Sequence, residues 1–494
     1  MHIVFVAPEC APCVKTGGLG EVLGALPAAI ASLGHRITMF VPYYRTVRLA
    51  METQPDATVP SVVLESVTIP FPERNRFVRV LDGGNHGGVQ TYLIDCPEFF
   101  DREDVYGPPG ENYPDNALRF GLYCRAVLEA CKLLGVPDVF HLHDWQASFV
   151  SILLHTTYAA DPLLRDAATV FTIHNGGYQG MFPPGQLRDL LLPAALFTGG
   201  ALATDSKVNP FLGALRNSDA VTAVSPSYAE ELKTPEYGEG LEKVYRERGD
   251  AFSGILNGID ADEWNSAIDP HLAAHYSAND LEGKQECRRD LLHAFDADGT
   301  ADHTAVVGMV SRLAAQKGFD LIAGAMSELA ELDLLLLIVG RGEPELEESF
   351  RELAEIYPKH LRVSPEFHET LAHKVQAGAD MTLMPSRYEP SGLTQMYSLR
   401  YGTVPIVRAT GGLRDTVQDG EDGNGFAFTE YTSDALVTTV KRALAEFADT
   451  ANWQERMRRG MRADLSWKRA AAEYVAVYER AVAAHAAGQS AGRG

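Results

Sequence analysis

Short apolar runs alternate with longer amphipathic stretches along most of the chain. Several runs are apolar at nearly every position, as strands buried on both faces of a parallel sheet must be. The stretch 115–134 is the clearest helix candidate, because its apolar residues fall near one face and Gly135 and Pro137 follow it. The pattern predicts a first series of strands at residues 1–6, 36–41, 91–94, 139–143, 169–173, 220–224 and 252–256.

The same alternation begins again after a polar stretch at 260–280, which contains Trp264 and Pro270. Two α/β units in tandem predict two doubly wound, Rossmann-like domains that face a cleft. Residues 486–494 are small and polar, and we expect them to be frayed. The second series of strands is predicted at residues 305–310, 334–339, 361–363, 381–384, 404–407 and 425–428.

Length and charge narrow the function classes. The chain has 494 residues, enough for two or three domains, and 43 basic against 66 acidic residues give a net charge of −23. A field of that sign repels nucleic acids and anionic membranes, so we expect neither as a partner. The N-terminal residues lack the basic leader of a signal peptide, and no apolar stretch is long enough to span a bilayer. The six cysteines then predict reduced thiols and a cytoplasmic protein.

A glycine-rich segment follows the first predicted strand, from Lys15 through Gly17, Gly18 and Gly20 to Glu21. Glycines at a strand-to-helix turn let backbone N–H groups approach a phosphate, and the helix N-terminus adds partial positive charge. A tight turn beside a solvated lysine explains the same pattern. Both interpretations stay open on these residues alone.

Two other motifs suggest chemistry that we disfavour. Cys10 and Cys13 form a CxxC motif, but the chain is far longer than a redox module, and small loop residues explain them better. His141 and His143 project to one face of a strand and would suit a metal. No second cluster of ligands completes that site, so we expect no metal there.

Polar residues at the ends of two predicted strands suit a sugar instead. Asp144 and Trp145 offer a carboxylate for hydroxyl groups and an aromatic face for a ring. His174 and Asn175 emerge after the next strand, followed by two glycines. A lone histidine is more often structural, although the asparagine and glycines beside it favour a ligand crevice.

Cations in the second half suit a diphosphate. Arg312 and Lys317 follow a predicted strand, where an arginine fork and a lysine point charge would clamp phosphate oxygens. Two surface cations are the alternative. Glu389 follows a later strand as either a capping or a functional carboxylate. Backbone N–H groups for phosphate come after it, at Ser391, Gly392, Leu393 and Thr394.

Taken together, in their order and separations, these motifs resemble bacterial glycogen synthases and plant starch synthases. They span nearly the whole chain. The strings that carry the resemblance are KTGGLGEVLGALP (15–27), HDW (143–145), HNGGYQGMF (174–182), GILNGID (254–260), SRLAAQKG (311–318), RYEPSGLTQ (387–395) and TGGLRDTV (410–417).

The resemblance implies a GT-B fold, in which two Rossmann-like domains face a deep cleft. It implies an acceptor-side domain at 1–260, a donor-side domain at 261–466, a helix at 467–484 that returns to the first domain, and a flexible tail at 485–494. The implied reaction transfers glucose from ADP-glucose to the 4-hydroxyl at the non-reducing end of glycogen or another α-1,4-glucan. The anomeric configuration is retained, and neither a cofactor nor a metal is implied.

Residue roles follow from the same resemblance. Lys15, with Gly17 and Gly18, matches the donor-binding loop, and Asp144 matches the aspartate that contacts the glucosyl unit. His174 matches the histidine near the anomeric centre. The remaining matches are Arg312 and Lys317 for the diphosphate, Glu389 for the essential carboxylate, residues 391–394 for backbone donors, and Asn175 and Asn257 for hydroxyl groups.

The chain departs from the family pattern at four places. Glu21 stands where the family usually has Asp, and Ser391 where it has Cys. Gln146 replaces a common His, and Gly176 with Gly177 replaces a usual Leu-Ala pair. Every core catalytic residue type is kept, so the departures bear on donor affinity and donor choice.

Three alternatives remain at this stage. A UDP-glucose donor is compatible with the same motifs. A glucan phosphorylase would need a lysine that binds pyridoxal phosphate, and no motif for one is found. A non-catalytic glucan-binding protein would have lost its charged site residues, whereas all of them are present here.

Overall fold

The computed structural model describes residues 1–53, 60–108, 110–364 and 368–491, which form two compact units. The first unit comprises Met1–Val224, Ala229–Gly258 and the segment that begins at Trp467. The second comprises Ser225–Tyr228 and Ile259–Ser466. Each unit is an α/β structure with a largely parallel sheet, in agreement with the predicted fold class.

The first unit is built on a nine-stranded sheet in the order β11-β10-β7-β6-β1-β2-β5-β4-β3. From β11 to β5 the neighbouring strands pair in parallel, whereas β4 pairs antiparallel with both β5 and β3. Two short strands form a separate antiparallel pair, β8 with β9. The strands are β1 (His2–Val6), β2 (Arg36–Pro42), β3 (Val62–Ile69), β4 (Arg76–His86), β5 (Val89–Asp95), β6 (Val139–His143), β7 (Ala168–Ile173), β8 (Ala203–Thr204), β9 (Lys207–Val208), β10 (Ala220–Ala223) and β11 (Phe252–Gly254).

Helices connect these strands. Strand β6 is buried at every position, as are β7 and β10, and the sequence shows apolar runs there because helices cover the sheet. The helices are α1 (Gly18–Ala31), α2 (Arg45–Thr53), α3 (Pro97–Phe100), α4 (Asn116–Leu134), α5 (Asp144–Leu154), α6 (Gln186–Asp189), α7 (Ala195–Thr198), α8 (Pro210–Asn217), α9 (Pro226–Leu232) and α10 (Glu242–Glu247).

The second unit has a six-stranded, all-parallel sheet in the order β14-β13-β12-β15-β16-β17. Its strands are β12 (Ala305–Val310), β13 (Leu334–Val339), β14 (Leu361–Ser364), β15 (Met381–Met384), β16 (Val404–Arg408) and β17 (Phe426–Phe428). Its helices are α11 (Glu282–Ala294), α12 (Phe319–Leu329), α13 (Pro344–Ile356), α14 (Glu369–Gly378), α15 (Thr394–Arg400), α16 (Gly411–Thr416), α17 (Ser433–Phe447) and α18 (Thr450–Arg462).

Local signals explain where several helices begin. The side chain of Asn209 accepts a hydrogen bond from Leu212 N at the start of α8, which satisfies one of the free N–H groups of its first turn. Thr432 caps α17 in the same way. Asp449 does so for α18. Among the helices described, none has the length and apolar character needed to cross a membrane.

The last helix, α19 (Trp467–Ala491), belongs to the first unit. Tyr478 is buried, and its hydroxyl lies 2.8 Å from His141 Nδ1. Farther along, His485 Nε2 and Gln489 Nε2 lie 2.9 and 2.7 Å from the carbonyl oxygen of Arg165. These bonds explain why the helix continues well beyond 484 and why 486–491 are helical rather than frayed; residues 492–494 lie outside the described residues.

Two further features differ from the sequence-based expectation. The antiparallel strands β3 and β4 were not predicted, because much of their length is exposed and they show no continuous apolar run. The segment of the first unit that precedes the second unit ends at Gly258, where the predicted boundary is 260, and Ile259 N bonds to Leu465 O of the second unit at 2.9 Å. Ser225–Tyr228 groups with the second unit, where Ser227 Oγ donates to Asp415 at 2.6 Å.

Removing Arg456 should strongly destabilise the second unit. Its buried guanidinium donates to both carboxylate oxygens of Glu446 and to the carbonyl oxygens of Gly420 and Gly425. Arg456→Ala leaves these acceptors unpaired, and we expect a loss of about 3–5 kcal/mol in the free energy of unfolding. Arg289→Ala, which removes an exposed ion pair with Glu286, should cost under about 1 kcal/mol. Calorimetry of the two variants measures this difference. If both substitutions lower the unfolding midpoint equally, the stabilising role assigned to Arg456 is wrong.

Candidate active site

The predicted site residues of the first unit lie at the carboxyl ends of parallel strands. The chain passes from β1 to β2 on one side and later returns to β6 on the other side of β1. Loops that follow strands on the two sides of such a point diverge and leave a crevice, where α/β proteins bind ligands. The glycine-rich segment follows β1, and Asp144 follows β6.

The glycine-rich segment is held by backbone contacts. Cys10 and Val14 exchange backbone hydrogen bonds of 3.0 and 2.9 Å, and helix α1 begins at Gly18. A Cβ at Gly20 would lie 3.0 Å from the Cα of Lys15, so glycine permits this close approach. The segment therefore forms a tight strand-to-helix turn, as its composition predicts.

Lys15 is not an isolated cation. Its Nζ lies 2.5 Å from Oε1 of Glu21, and 43% of the lysine and 25% of the glutamate side chain are exposed. Glu21 is one of the positions at which the chain departs from the family pattern. The departure therefore acts directly on the predicted donor-binding lysine.

Sequence reasoning missed Glu9, which is buried directly after β1. Its carboxylate accepts hydrogen bonds from Thr16 N at 2.6 Å, from Thr16 Oγ1 at 2.7 Å and from the hydroxyl of Tyr106. Burial raises the pKa of Tyr106 well above its ordinary value. Glu9 thus fastens the glycine-rich segment to the first unit. A glutamate immediately after an apolar strand and Pro8 was the available signal.

The two cysteines of the CxxC motif are free thiols. Burial raises the pKa of both Cys10 and Cys13, which favours the protonated form. Cys10 Sγ also donates to the carbonyl oxygen of Leu23 at 3.2 Å. Reactive disulfide-exchange cysteines have lowered pKa values, so this environment supports the structural interpretation.

Asp144 connects the ends of β6 and β7. Its Oδ1 accepts hydrogen bonds from the backbone N–H of His174 at 2.8 Å and of Asn175 at 3.4 Å. Its φ of 55° lies in the left-handed region, which an aspartate adopts rarely and often at functional sites. Burial raises the pKa of its carboxyl to about 7. The structure therefore joins Asp144, His174 and Asn175 in one group.

The histidines of this group bond to one another and to neutral hydroxyls. His143 Nδ1 lies 2.9 Å from His174 Nε2, and His141 Nε2 lies 2.6 Å from Thr172 Oγ1. Burial lowers the pKa of all three, that of His174 to about 3, so they are neutral at physiological pH. No third metal ligand joins His141 and His143 among the residues described.

Three amide side chains of the first unit differ in whether their oxygens have hydrogen-bond partners. Asn175 Oδ1 accepts from Gly177 N at 3.0 Å, which shapes the turn after β7. Asn257 follows β11 and is buried, and within the described part of the chain its Oδ1 has no hydrogen-bond partner. Gln146 occupies another position that departs from the family pattern. Its Oε1 is also buried and lacks a hydrogen-bond partner among the described residues. A buried acceptor without a partner is well suited to a ligand hydroxyl.

The predicted site residues of the second unit also follow strands at the point where the strand order of the sheet reverses. The chain leaves β12 for β13 on one side and returns to β15 on the other. Lys317 follows β12 in a short 3₁₀ helix, and Glu389 follows β15. The Nζ of Lys317 lies 2.6 Å from Oε2 of Glu389, with 18% and 8% of the two side chains exposed. Ser386 Oγ donates to the same carboxylate oxygen at 3.1 Å.

Arg312 lies in a different environment from Lys317. Its side chain is exposed, and it makes no ion pair or side-chain hydrogen bond with any residue that the structure describes. The structure thus brings Lys317 and Glu389 into one ion pair but does not attach Arg312 to it. An exposed guanidinium without a protein partner remains available for an anion.

Glycines allow the loops of this group to approach one another closely. A Cβ at Gly318, whose φ is 77°, would lie 2.1 Å from the carbonyl oxygen of Pro385. A Cβ at Gly412 would lie 1.9 Å from the carbonyl oxygen of Ser391. The Oγ of Ser391 is buried with no hydrogen-bond partner among the described residues, and Gly392 has a φ of 66°. The loop at 389–394 is thus shaped by packing against backbone.

Comparisons with known proteins agree with this arrangement. Residues 2–247 match the family model of the starch synthase catalytic domain, and residues 294–460 match that of glycosyl transferases group 1. The chain is 48% identical to a glycogen synthase of Koribacter versatilis over 97% of its own length and 98% of the relative's. It is 44% identical to a glycogen synthase of Myxococcus xanthus, over 98% and 100% of the two chains.

The chain belongs to the bacterial glycogen synthase family. It is therefore a glycosyltransferase of the glycogen and starch synthase type, with a GT-B fold of two Rossmann-like domains. The catalytic domain of starch synthase IV from Arabidopsis thaliana, solved bound to ADP and acarbose, superposes with a TM-score of 0.86 at 32% identity, over 98% of this chain and 99% of the other. A sucrose-phosphate synthase from Thermosynechococcus elongatus shares the fold at 17% identity and a TM-score of 0.61, over 98% of this chain and 99% of the other.

The raised pKa of Asp144 predicts a pH-dependent effect of Asp144→Asn in this glycogen synthase homologue. Between about pH 4 and 7 the folded wild type keeps a proton that the unfolded chain has lost, so its stability falls as the pH rises through that window. The variant does not titrate there. We expect the stability of the variant relative to the wild type to increase by about 2–4 kcal/mol from pH 4 to pH 8.

Chemical unfolding at the two pH values measures this difference. Asp166→Asn is the matched control, because Asp166 is an exposed aspartate of the same unit with 66% of its side chain accessible. As a substitution at an exposed side chain, it should change the free energy of unfolding by under about 0.5 kcal/mol. A pH-independent difference for Asp144→Asn would show that the carboxyl is ionised in the folded state throughout the range.

Proposed function

We propose that this chain transfers glucose from ADP-glucose to the 4-hydroxyl at the non-reducing end of glycogen or another α-1,4-glucan, with retention of configuration and release of ADP. Membership of the glycogen synthase family supports the nucleotide-sugar donor and the glucan acceptor. The Arabidopsis starch synthase was solved with ADP and acarbose, which supports adenine as the donor base. The observation that carries the proposal is the partly buried ion pair of Lys317 and Glu389 at the carboxyl edge of the second sheet.

Charge develops in two places when the donor bond breaks. The departing diphosphate becomes more negative, and the glucosyl ring becomes more positive. Fixed groups of opposite sign stabilise such charges without reorganisation during the reaction. In our proposal Lys317 and Arg312 face the diphosphate, assisted by Lys15 and by backbone N–H groups of residues 391–394. Glu389 orients the glucosyl hydroxyls and stabilises the cationic ring.

The ion pair prepares both partners for these roles. Ser386 and Lys317 hold one oxygen of the Glu389 carboxylate, which leaves the other oxygen for the sugar. Lys317 is anchored within 2.6 Å of that carboxylate and keeps two further N–H donors for phosphate oxygens. Arg312 has no competing partner among the residues described and can bind the anion with its full fork.

The neutral histidines of the first unit are compatible with the same reaction. A protonated imidazole beside the cationic ring would oppose the reaction, whereas burial keeps His174 neutral. His174 Nε2 is occupied by His143, so Nδ1 is the atom we assign to the substrate. Asp144 would contact the glucosyl unit, and Asn175 and Asn257 would bind hydroxyl groups. The side-chain cations supply the charge in this scheme, so it requires no metal ion.

In our proposal the groups that react in the retaining step belong to the two substrates. Glu389 already accepts two hydrogen bonds and stabilises charge in our proposal, so we do not assign it as the attacking nucleophile. The acceptor 4-hydroxyl would attack C1 from the face that the diphosphate leaves. The departing phosphate oxygen would then take the acceptor proton, which balances the transfer as glucan extended by one unit plus ADP.

We also propose that the protein acts in the cytoplasm. The six cysteines are all free thiols, as expected in a reducing compartment.

Substituting Lys317 should reduce turnover far more than removal of a surface lysine from the same unit does. Lys317→Ala removes a cation from the leaving diphosphate, and we expect glucose incorporation into glycogen from labelled ADP-glucose to fall by about 10²–10³-fold. Lys374→Ala is the matched control, since Lys374 forms an ion pair of 3.0 Å with Asp290 in the same unit. It should retain activity within a few-fold. Rates for Lys317→Ala that match the control would remove this lysine from the mechanism.

The donor base requires a separate measurement. Purified protein should incorporate glucose from ADP-glucose at least about ten-fold more efficiently than from UDP-glucose, measured as kcat/KM with glycogen as acceptor. The reverse preference would identify the UDP-glucose enzyme that the motifs also allow. Incorporation from neither donor, by a protein that binds glycogen, would favour the non-catalytic alternative.

A further inference from the structure

Three metal-ligating side chains come together in the second unit, apart from the residues assigned to glucosyl transfer. One ligand atom each from Glu263, Glu369 and His373 lies within 4.8 Å of the others. Glu369 and His373 are four residues apart on α14, which places them on the same face of the helix. Glu263 comes from the polar segment that enters this unit. One helix and one loop therefore contribute to the group.

The orientation of His373 is fixed by a buried carboxylate. His373 is only 2% exposed, and its Nδ1 donates to Oδ2 of Asp269 at 2.7 Å. The same Asp269 oxygen accepts from the hydroxyl of Tyr401 at 2.5 Å, and Oδ1 accepts from His271 N at 2.9 Å. Nδ1 is thus committed to Asp269. Nε2 has no hydrogen-bond partner among the described residues, so its lone pair is available to a ligand.

Aromatic stacking also fixes the plane of the imidazole. The ring of His373 stacks on Trp264 with centroids 4.0 Å apart and an interplanar angle of 6°. Trp264 in turn stacks on Tyr397 at 3.7 Å. Little side-chain freedom remains to be lost when a ligand binds Nε2. A histidine oriented through its second nitrogen by a carboxylate is the arrangement that recurs at metal sites.

We propose that Glu263, Glu369 and His373 form a binding site for a divalent transition metal, with zinc as the best match. One imidazole nitrogen and two carboxylates suit zinc, and water completes the coordination. Two carboxylates also neutralise the charge of the ion. The two glutamates are exposed, and the buried histidine is fixed in place by Asp269 and Trp264.

The bound metal would clamp the entering segment to α14. Glu263 precedes Trp264 in the stretch between β11 and α11, where no helix or strand is formed. A metal bridge from Glu263 to Glu369 and His373 would add a cross-link at this point. Zinc that binds the folded state alone raises its stability by mass action. The consequence is independent of glucosyl transfer and concerns the stability of the second unit.

Zinc titration of the full chain tests the site. Protein first dialysed against a chelator, then freed of it, is titrated with zinc chloride in competition with a chromophoric chelator. We expect one equivalent to bind and the thermal unfolding midpoint to rise. The double variant Glu263→Gln with Glu369→Gln should bind zinc at least about 100-fold more weakly. X-ray absorption of the zinc-loaded wild type should show one imidazole ligand.

The controls separate this site from adventitious binding. Glu352→Gln with Glu355→Gln removes two exposed carboxylates from α13 and should bind zinc like the wild type. The glutamine variants leave His373, Asp269 and Tyr401 intact, so they should fold normally by circular dichroism. Zinc bound equally by the wild type and the site variant, or by neither, would overturn the proposal.

Discussion

The ion pair between Lys317 and Glu389 is the interaction on which the chemistry that we propose for the second unit depends. It places a positive and a negative charge 2.6 Å apart, largely shielded from water, where the chain order of the sheet reverses. Neither charge would be stable there alone, because desolvation of a single ion costs several kcal/mol. The pair stabilises both charges at a place where the proposed reaction generates charges of both signs. In our proposal, a diphosphate that binds there meets charges that are already fixed.

Close packing of backbone keeps that pair in place. Gly318 lets the segment after β12 touch the carbonyl of Pro385, and Gly412 lets α16 touch the loop that carries Glu389. Gly412 N also bonds to the carbonyl oxygen of Glu389 at 3.1 Å. A side chain at either glycine would force the loops apart. The glycines of the quoted motifs therefore act on the site through geometry, although they carry no reactive group.

Much of the fold could be predicted from the sequence, because strands buried in a parallel sheet appear in it as continuous apolar runs. Strands β6, β12, β13 and β15 have the predicted bounds, and the polar residues after them lie at the strand ends. What could not be predicted depends on contacts between distant residues. The exposed ribbon β3–β4 lacks an apolar run, and the extension of α19 depends on bonds to Arg165. The role of Glu9 likewise depends on Thr16 and on Tyr106, far along the chain.

The site residues of the two units are treated differently by their surroundings. In the second unit Lys317 and Glu389 form an ion pair, whereas in the first unit burial keeps His141, His143 and His174 neutral and Asp144 protonated to about pH 7. A glucosyl cation is harmed by a nearby positive charge and helped by a negative one. Neutral imidazoles and an aspartate that ionises near neutrality therefore suit the sugar, and the lysine and arginine suit the diphosphate. This division follows from burial and from the partner of each residue within its sheet. Glu21, which pairs with Lys15, keeps the charge of the usual aspartate and differs from it by one methylene, so it changes the reach of the carboxylate rather than the fold.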